Sequence, residues 1–239
     1  MPHFILVSDV FCPWCYGFAP VMRRLAAEHP DCAIRVLCGD LVEEPTTLAA
    51  MQQDHPNLRA FFGRLSRTTG QAVGETFLRH LEPGHGEALP LFSSALSAPL
   101  AALRTLAPGR ELEQLEALQA AFYGAGLDVL NPEVQARTTG VEAEALAKAS
   151  TSEAVLEAAR RDRKEALEQL DEFVVYPSLF LETDDGKRHV LTRGYSAYET
   201  VAARLDAALG TKKTPEAARF PEGATPSANA CGPDGTCPL

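Results

Sequence analysis

Phe11-Cys12-Pro13-Trp14-Cys15-Tyr16-Gly17 decides how this chain is read. The Phe4-Ile5-Leu6-Val7 run before it is continuously apolar, the pattern of a buried strand. After it, Phe18, Val21, Met22 and Leu25 recur at helical spacing. The Cys-x-x-Cys therefore sits where a strand hands over to a helix. Pro13 suits the first helical position, where an N–H would have no intrahelical partner. Cys12 is then the N-cap, with its sulfur facing the unpaired N–H groups of the first turn. Those donors and the positive end of the helix favour a thiolate, so Cys12 is expected to ionise below the free-thiol value of about 8.5. Cys15 lies three residues on, on the same face and within disulfide reach. An activated cysteine beside a resolving one is what thiol–disulfide exchange requires.

Two other readings of the pair are weaker. A structural zinc needs four ligands, and no second Cys-x-x-Cys or His-x-x-x-His completes a set, so no metal is expected. Two cysteines can also be small buried hydrophobes, but Pro-Trp between them at a strand-to-helix junction argues for redox chemistry.

Composition narrows the partners. A hydrophobic content of 46% and a charged content of 23% fit a soluble globular protein of one large domain or one with an insertion. The formal net charge of -10 argues against a nucleic-acid partner and gives no reason to invoke an anionic membrane. Arg160-Arg161-Asp162-Arg163-Lys164 reads as a solvated helix face. The chain begins Met1-Pro2-His3 and enters its first strand at once, and no apolar run approaches a membrane span. A cytoplasmic location follows as the expectation, and there cysteine pairs tend to be catalytic.

Outward from the motif, His29-Pro30-Asp31 stops the first helix and Ala33–Cys38 alternates as a second strand. This β-α-β unit predicts parallel strands with a right-handed crossover. From about residue 46 to 170 strand signals vanish and helical periodicity takes over. Leu58, Phe61, Phe62 and Leu65 form one stripe, ended by Gly70; Leu112, Leu115, Leu118 and Phe122 form another. Asn131-Pro132 reads as an N-cap and first helical residue. Ser150 and Glu153 match a capping box, with Leu156, Ala159, Leu167 and Leu170 expected to face inward. Phe173–Leu181 reads as a strand containing Pro177. Asp184-Asp185-Gly186 is a turn, Arg188–Leu191 the returning strand, and Ser196 caps a final helix that Gly210 ends. Residues 211–239 read as a flexible tail carrying Cys231 and Cys237.

The predicted fold is α/β: a thioredoxin-like β-α-β … β-β-α sheet from residues 1–45 and 171–210, with 46–170 inserted as a helical domain. Cys12-Pro13-Trp14-Cys15-Tyr16-Gly17-Phe18 resembles the active site of the DsbA-like branch of the thioredoxin superfamily. More closely, the chain is similar to a cytoplasmic protein-disulfide isomerase group related to FrnE-type proteins. Arg67–Gln71, Ala121–Tyr123, Tyr176–Leu181 and Leu191–Tyr195 fit the same group in the same order. Trp14 stands where the common DsbA motif has His. The resemblance implies catalytic Cys12 and Cys15, with Pro13, Trp14, Tyr176 and Pro177 as neighbours. It also implies a cis bond before Pro177, and Tyr176 is placed to cover the site or stack on a substrate.

The expected activity is dithiol–disulfide exchange on protein or small-molecule thiols and disulfides. No cofactor is needed beyond an external thiol donor or acceptor, such as glutathione or a thioredoxin system. Alternatives are a glutathione-dependent isomerase resembling the hydroxychromene-carboxylate isomerases, or a thiol protein that binds soft metals. Cys32 and Cys38 are expected to pack or sit idle, and His80 and His85 to lie at the surface. Cys231 and Cys237 flank a turn-prone stretch on a coil that spans roughly 25 Å, and read as a candidate second dithiol, a soft-metal pair or part of an inert end.

Overall fold

The computed structural model describes residues 1–82 and 89–210. Strand β1 (His3–Ser8), helix α1 (Pro13–Glu28) and β2 (Ala33–Cys38) form the first unit. Next come β3 (Thr46–Thr47), α2 (Leu48–Asp54), α3 (Leu58–Thr69), α4 (Glu75–Arg79), β4 (Pro90–Leu91) and α5 (Ser94–Leu106). They are followed by α6 (Glu111–Gln119), a π turn (Ala120–Gly124), α7 (Pro132–Thr139), α8 (Ala143–Ser150) and α9 (Glu153–Leu170). The hairpin strands β5 (Ser178–Glu182) and β6 (Arg188–Arg193) precede α10 (Tyr198–Leu209).

The main sheet has the order β2-β1-β5-β6. β1 pairs parallel with β2, as the β-α-β reading predicts, and antiparallel with β5. Leu6 lies in register between Val36 and Leu179, and all three are buried. That central position explains why Phe4–Val7 is apolar without alternation: both faces of β1 are covered. Phe18, Val21, Met22 and Leu25 of α1 are buried as their spacing predicts.

β2 is an edge strand, and side chains of the insertion occupy its free backbone groups. Glu111 accepts the Val36 N–H at 2.9 Å, and Arg104 donates to the Val36 carbonyl at 2.9 Å. Arg104 also pairs with Glu111 at 3.1 Å and Asp162 at 2.8 Å. The edge is thereby closed to further strands, and the insertion is fastened to the sheet.

Among the described residues of the insertion, the antiparallel pair β3–β4 is the one departure from helices and their connections, and the periodicity did not announce it. Gly70 ends α3 at φ 73°, and Asn131 caps α7 through Glu133 N, as predicted. Three details differ. Ser150 ends α8, its hydroxyl donating to Leu146 O, and the N-cap of α9 is Ser152. Ser196 bonds the Thr192 hydroxyl instead of capping α10, which starts after Ala197. The predicted strand from Phe173 begins only at Ser178, because the carbonyls of Leu170 and Phe173 are taken by Arg193, at 2.6 and 3.2 Å. Phe173 and Val174 are exposed as a result.

Candidate active site

β1 delivers the chain into the turn Asp9-Val10-Phe11, which ends at Cys12. Cys12 is the N-cap of α1, in extended conformation, with Pro13 first in the helix. The Cys15 N–H donates to the Cys12 sulfur at 3.1 Å. Both cysteines are free thiols, and their side chains are in hydrogen-bond contact. The local geometry expected from the sequence is therefore present.

Its electrostatic consequence is not. Cys12 is 1% exposed and Cys15 4%. Burial pushes the Cys12 thiol well above its ordinary value; the Cys15 side chain adds to this, and so does the charge of Asp9. The Cys15 N–H acts in the opposite sense and is outweighed. The expectation of a lowered value is corrected for this closed form: a thiolate shut away from water loses more in hydration than one helix-start donor returns.

Asp9 is the residue the sequence reading missed. It is fully buried, and its two carboxyl oxygens accept Phe11 N at 2.8 Å and Leu41 N at 3.1 Å. Burial raises its pKa to about 6 against the opposing pull of the Leu41, Ser93 and Phe11 hydrogen bonds. An acid at the end of an apolar strand, three residues before the first cysteine, was the available signal.

The π turn completes the cradle. Gln119, just before it, donates to Asp9 O at 3.1 Å, and Tyr123 within it donates to Phe11 O. Tyr16 stacks on Tyr123, with ring centroids 4.9 Å apart. A π turn widens the local helix by a residue, a device often found beside functional sites.

The predicted neighbours gather here. Trp14 is buried between Phe61 of α3, at 6.1 Å, and Tyr195, at 5.8 Å. The Tyr176–Pro177 bond is cis. Pro177 shares a small cavity lining with Cys15, and its carbonyl accepts Gly194 N at 2.7 Å. Tyr176 is buried, its hydroxyl accepting Asp40 N at 3.3 Å. Its ring lies so close to Gly39 that a Cβ there would sit 2.5 Å from a ring carbon. Cys32 and Cys38 are half-buried free thiols. His80 is half-buried instead of surface-placed, with Nδ1 enclosed. His85, Cys231 and Cys237 lie outside the described residues. Among the described residues no three His, Cys, Asp or Glu side chains cluster to hold a metal, and no helix is long and apolar enough to cross a membrane.

No family model and no curated protein sequence matches the chain. Solved structures do. A candidate protein disulfide isomerase from Nitrosomonas europaea superposes with a TM-score of 0.69 at 20% identity, over 89% of this chain and 99% of that one. The cytosolic disulfide reductase DsbM from Pseudomonas aeruginosa, also solved with GSH, gives 0.65 at 21% identity, over 88% and 100%. A 2-hydroxychromene-2-carboxylate isomerase gives 0.55 at 15% identity, over 87% and 94%. At such identities the likeness speaks of architecture: this chain has the DsbA-like thioredoxin fold, its sheet interrupted by a helical insertion.

Proposed function

We propose that the protein is a dithiol–disulfide oxidoreductase working through Cys12 and Cys15. The observation that carries this reading is the Cys12 sulfur at the start of α1, accepting the Cys15 N–H and touching the Cys15 side chain. Cys12 attacks one sulfur of a substrate disulfide; a mixed disulfide forms and the other substrate sulfur leaves as a thiolate. Cys15 then attacks Cys12, releasing the second substrate thiol and leaving Cys12–Cys15 oxidised. An external thiol returns the pair to the dithiol form, and the sequence run backwards oxidises a client. The Cys12–Cys15 reduction potential sets the direction.

Attack requires the buried site to open. Hydration then removes the penalty that raises Cys12, and the Cys15 N–H and helix start favour the thiolate. No cofactor enters the cycle. Glutathione is the small thiol this reading favours, supported by the reductase of the same fold solved with GSH. A thioredoxin system, protein disulfides and a cytoplasmic setting fit it equally, and neither nucleic acid nor membrane is involved.

The isomerase of the same fold supports a second reading, glutathione-dependent isomerisation. The two separate in one assay: turnover of a disulfide-linked peptide with reduced glutathione, using wild type, Cys12→Ser and Cys15→Ser. The oxidoreductase reading expects turnover by wild type and loss of it in both variants. No turnover by wild type, or full turnover by Cys12→Ser, contradicts it.

A further inference from the structure

Trp14 is the only tryptophan of the chain, and it stands between the two cysteines. It is the second residue of α1, directly after Pro13. Helical Cα–Cβ bonds tilt toward the helix N-terminus, so its side chain leans toward the end of α1 where Cys12 lies. The residue is 7% exposed, its ring held by Phe61 and Tyr195. Tyr195 in turn packs on Phe18, one turn further along α1. The Trp14 indole Nε1–H is enclosed and has no acceptor among the described residues. Phe61 carries no polar side-chain atom, and the Tyr195 hydroxyl donates to Thr68 O at 3.3 Å. A buried indole N–H normally finds a partner, and one left without calls for a reason. Other polar side chains of the cysteine turn and its cradle have theirs. Asp9 accepts two backbone N–H groups, Gln119 and Tyr123 donate to carbonyls of the turn, and Tyr176 accepts Asp40 N. The rings fix the indole in place, so its acceptor has to come to it.

We propose that the Trp14 indole N–H is a substrate donor: in the opened site it binds the carbonyl oxygen of the cysteine whose sulfur joins Cys12. This rests on the oxidoreductase reading and names its substrate class, disulfides of cysteine in amide linkage over bare alkyl disulfides. A cysteinyl sulfur and its own carbonyl oxygen belong to one residue, so a sulfur bound to Cys12 brings an acceptor to the start of α1. Pro13, between Cys12 and Trp14, has no N–H to compete for it. The indole N–H is already out of water in the closed protein. An arriving carbonyl satisfies it, whereas a substrate without one leaves it unpaired. Trp14 exchanges no proton and leaves the order of attack and resolution unchanged.

Trp14→Phe keeps an aromatic ring against Phe61 and Tyr195 and removes the N–H. Its kcat/KM is measured against wild type for oxidised glutathione, for a disulfide-linked peptide and for cystamine, which has no carbonyl. The preference for the amide-linked disulfides over cystamine is expected to fall about tenfold in the variant. The substrate whose preference falls further is the source the donor serves. A structural role alone lowers all three alike, and that result overturns the assignment. The donor is also read directly, since a chain with one tryptophan has one indole N–H resonance. Reduced Cys15→Ser carrying labelled tryptophan is converted to its glutathione and its cysteamine adduct on Cys12 and followed by proton–nitrogen NMR. The indole resonance is expected farther downfield in the glutathione adduct, as a hydrogen bond to a carbonyl requires. Equal positions in the two adducts overturn the proposal, and this comparison decides it if Trp14→Phe does not fold. A protein that forms no adduct on Cys12 overturns the oxidoreductase reading as well, which separates the two failures.

Discussion

Tyr123 donates its hydroxyl to the backbone carbonyl of Phe11, the residue before Cys12, across 112 residues of sequence. Both partners are buried, so the bond ties the π turn of the insertion to the turn that presents the cysteine. Tyr123→Phe keeps the ring stack on Tyr16 and leaves that carbonyl without its donor. A loss of about 1–3 kcal/mol in urea unfolding is expected, with slower disulfide exchange at temperatures where the variant is folded. Unchanged stability and rate would show the bond to be idle.

Asp9 gives the protein a defined pH response. Its folded-state pKa is raised from 3.8 to about 6 by burial. Between those values the folded chain holds a proton that the unfolded chain has released, so this group's contribution falls as pH rises through the window and is flat above it. The full effect is about 3 kcal/mol. Other carboxyl groups titrate nearby, so the quantity to measure is the stability difference between wild type and Asp9→Asn at several pH values from 4 to 7. It should shift steadily in favour of the variant as pH rises; a pH-independent difference contradicts the burial account.

Close backbone approach makes Gly74 less replaceable than Gly17. A Cβ on Gly74 would lie 1.8 Å from the Gly124 carbonyl oxygen, a backbone atom of the π turn. Gly74→Ala is expected to cost about 3 kcal/mol or more. At Gly17 the obstacle is the Thr69 methyl at 2.7 Å, which can rotate, and alanine's helix preference offsets about 1 kcal/mol. Thermal melts should therefore rank Gly74→Ala well below Gly17→Ala; the reverse order would contradict the packing described.

Arg104 both caps the β2 edge and pairs with Asp162, so Arg104→Ala takes one cationic partner from Glu111 and Asp162 and the donor from the Val36 carbonyl. A loss of about 3 kcal/mol is expected, together with weaker hydrogen-exchange protection in β2. Loss of protection confined to α5 would show that the arginine does not guard the strand.

What was legible in the sequence was local. Pro13 after Cys12, Gly70, Asn131-Pro132 and the Asp184–Gly186 turn each declare themselves within a few residues, because capping and turn chemistry are short-ranged. Asp9 left a local signal at the end of an apolar strand, but Gln119 and Tyr123 were not legible as parts of the site, since each gains its meaning there from a partner distant in sequence. The inward face of α9 shows the same limit. It was expected along Leu156, Ala159, Leu167 and Leu170, yet Leu167 is half exposed while Asp162 and Gln169 are buried. Arg104 and Arg35 make burial of Asp162 possible, and Arg188 does the same for Gln169; apolar periodicity cannot see such pairs. The helix-start geometry of Cys12 was readable, but its raised pKa depends on the whole fold closing over it.

The central claim is that Cys12 attacks and Cys15 resolves. Its most direct test is to treat reduced Cys15→Ser with oxidised glutathione and map the adduct by mass spectrometry beside the wild type. The account predicts one glutathione on Cys12 in the variant, and in the wild type a Cys12–Cys15 disulfide with no retained glutathione. An adduct on Cys32 or Cys38 with Cys12 unmodified, or a wild type that keeps glutathione on Cys12 without closing the disulfide, would contradict it.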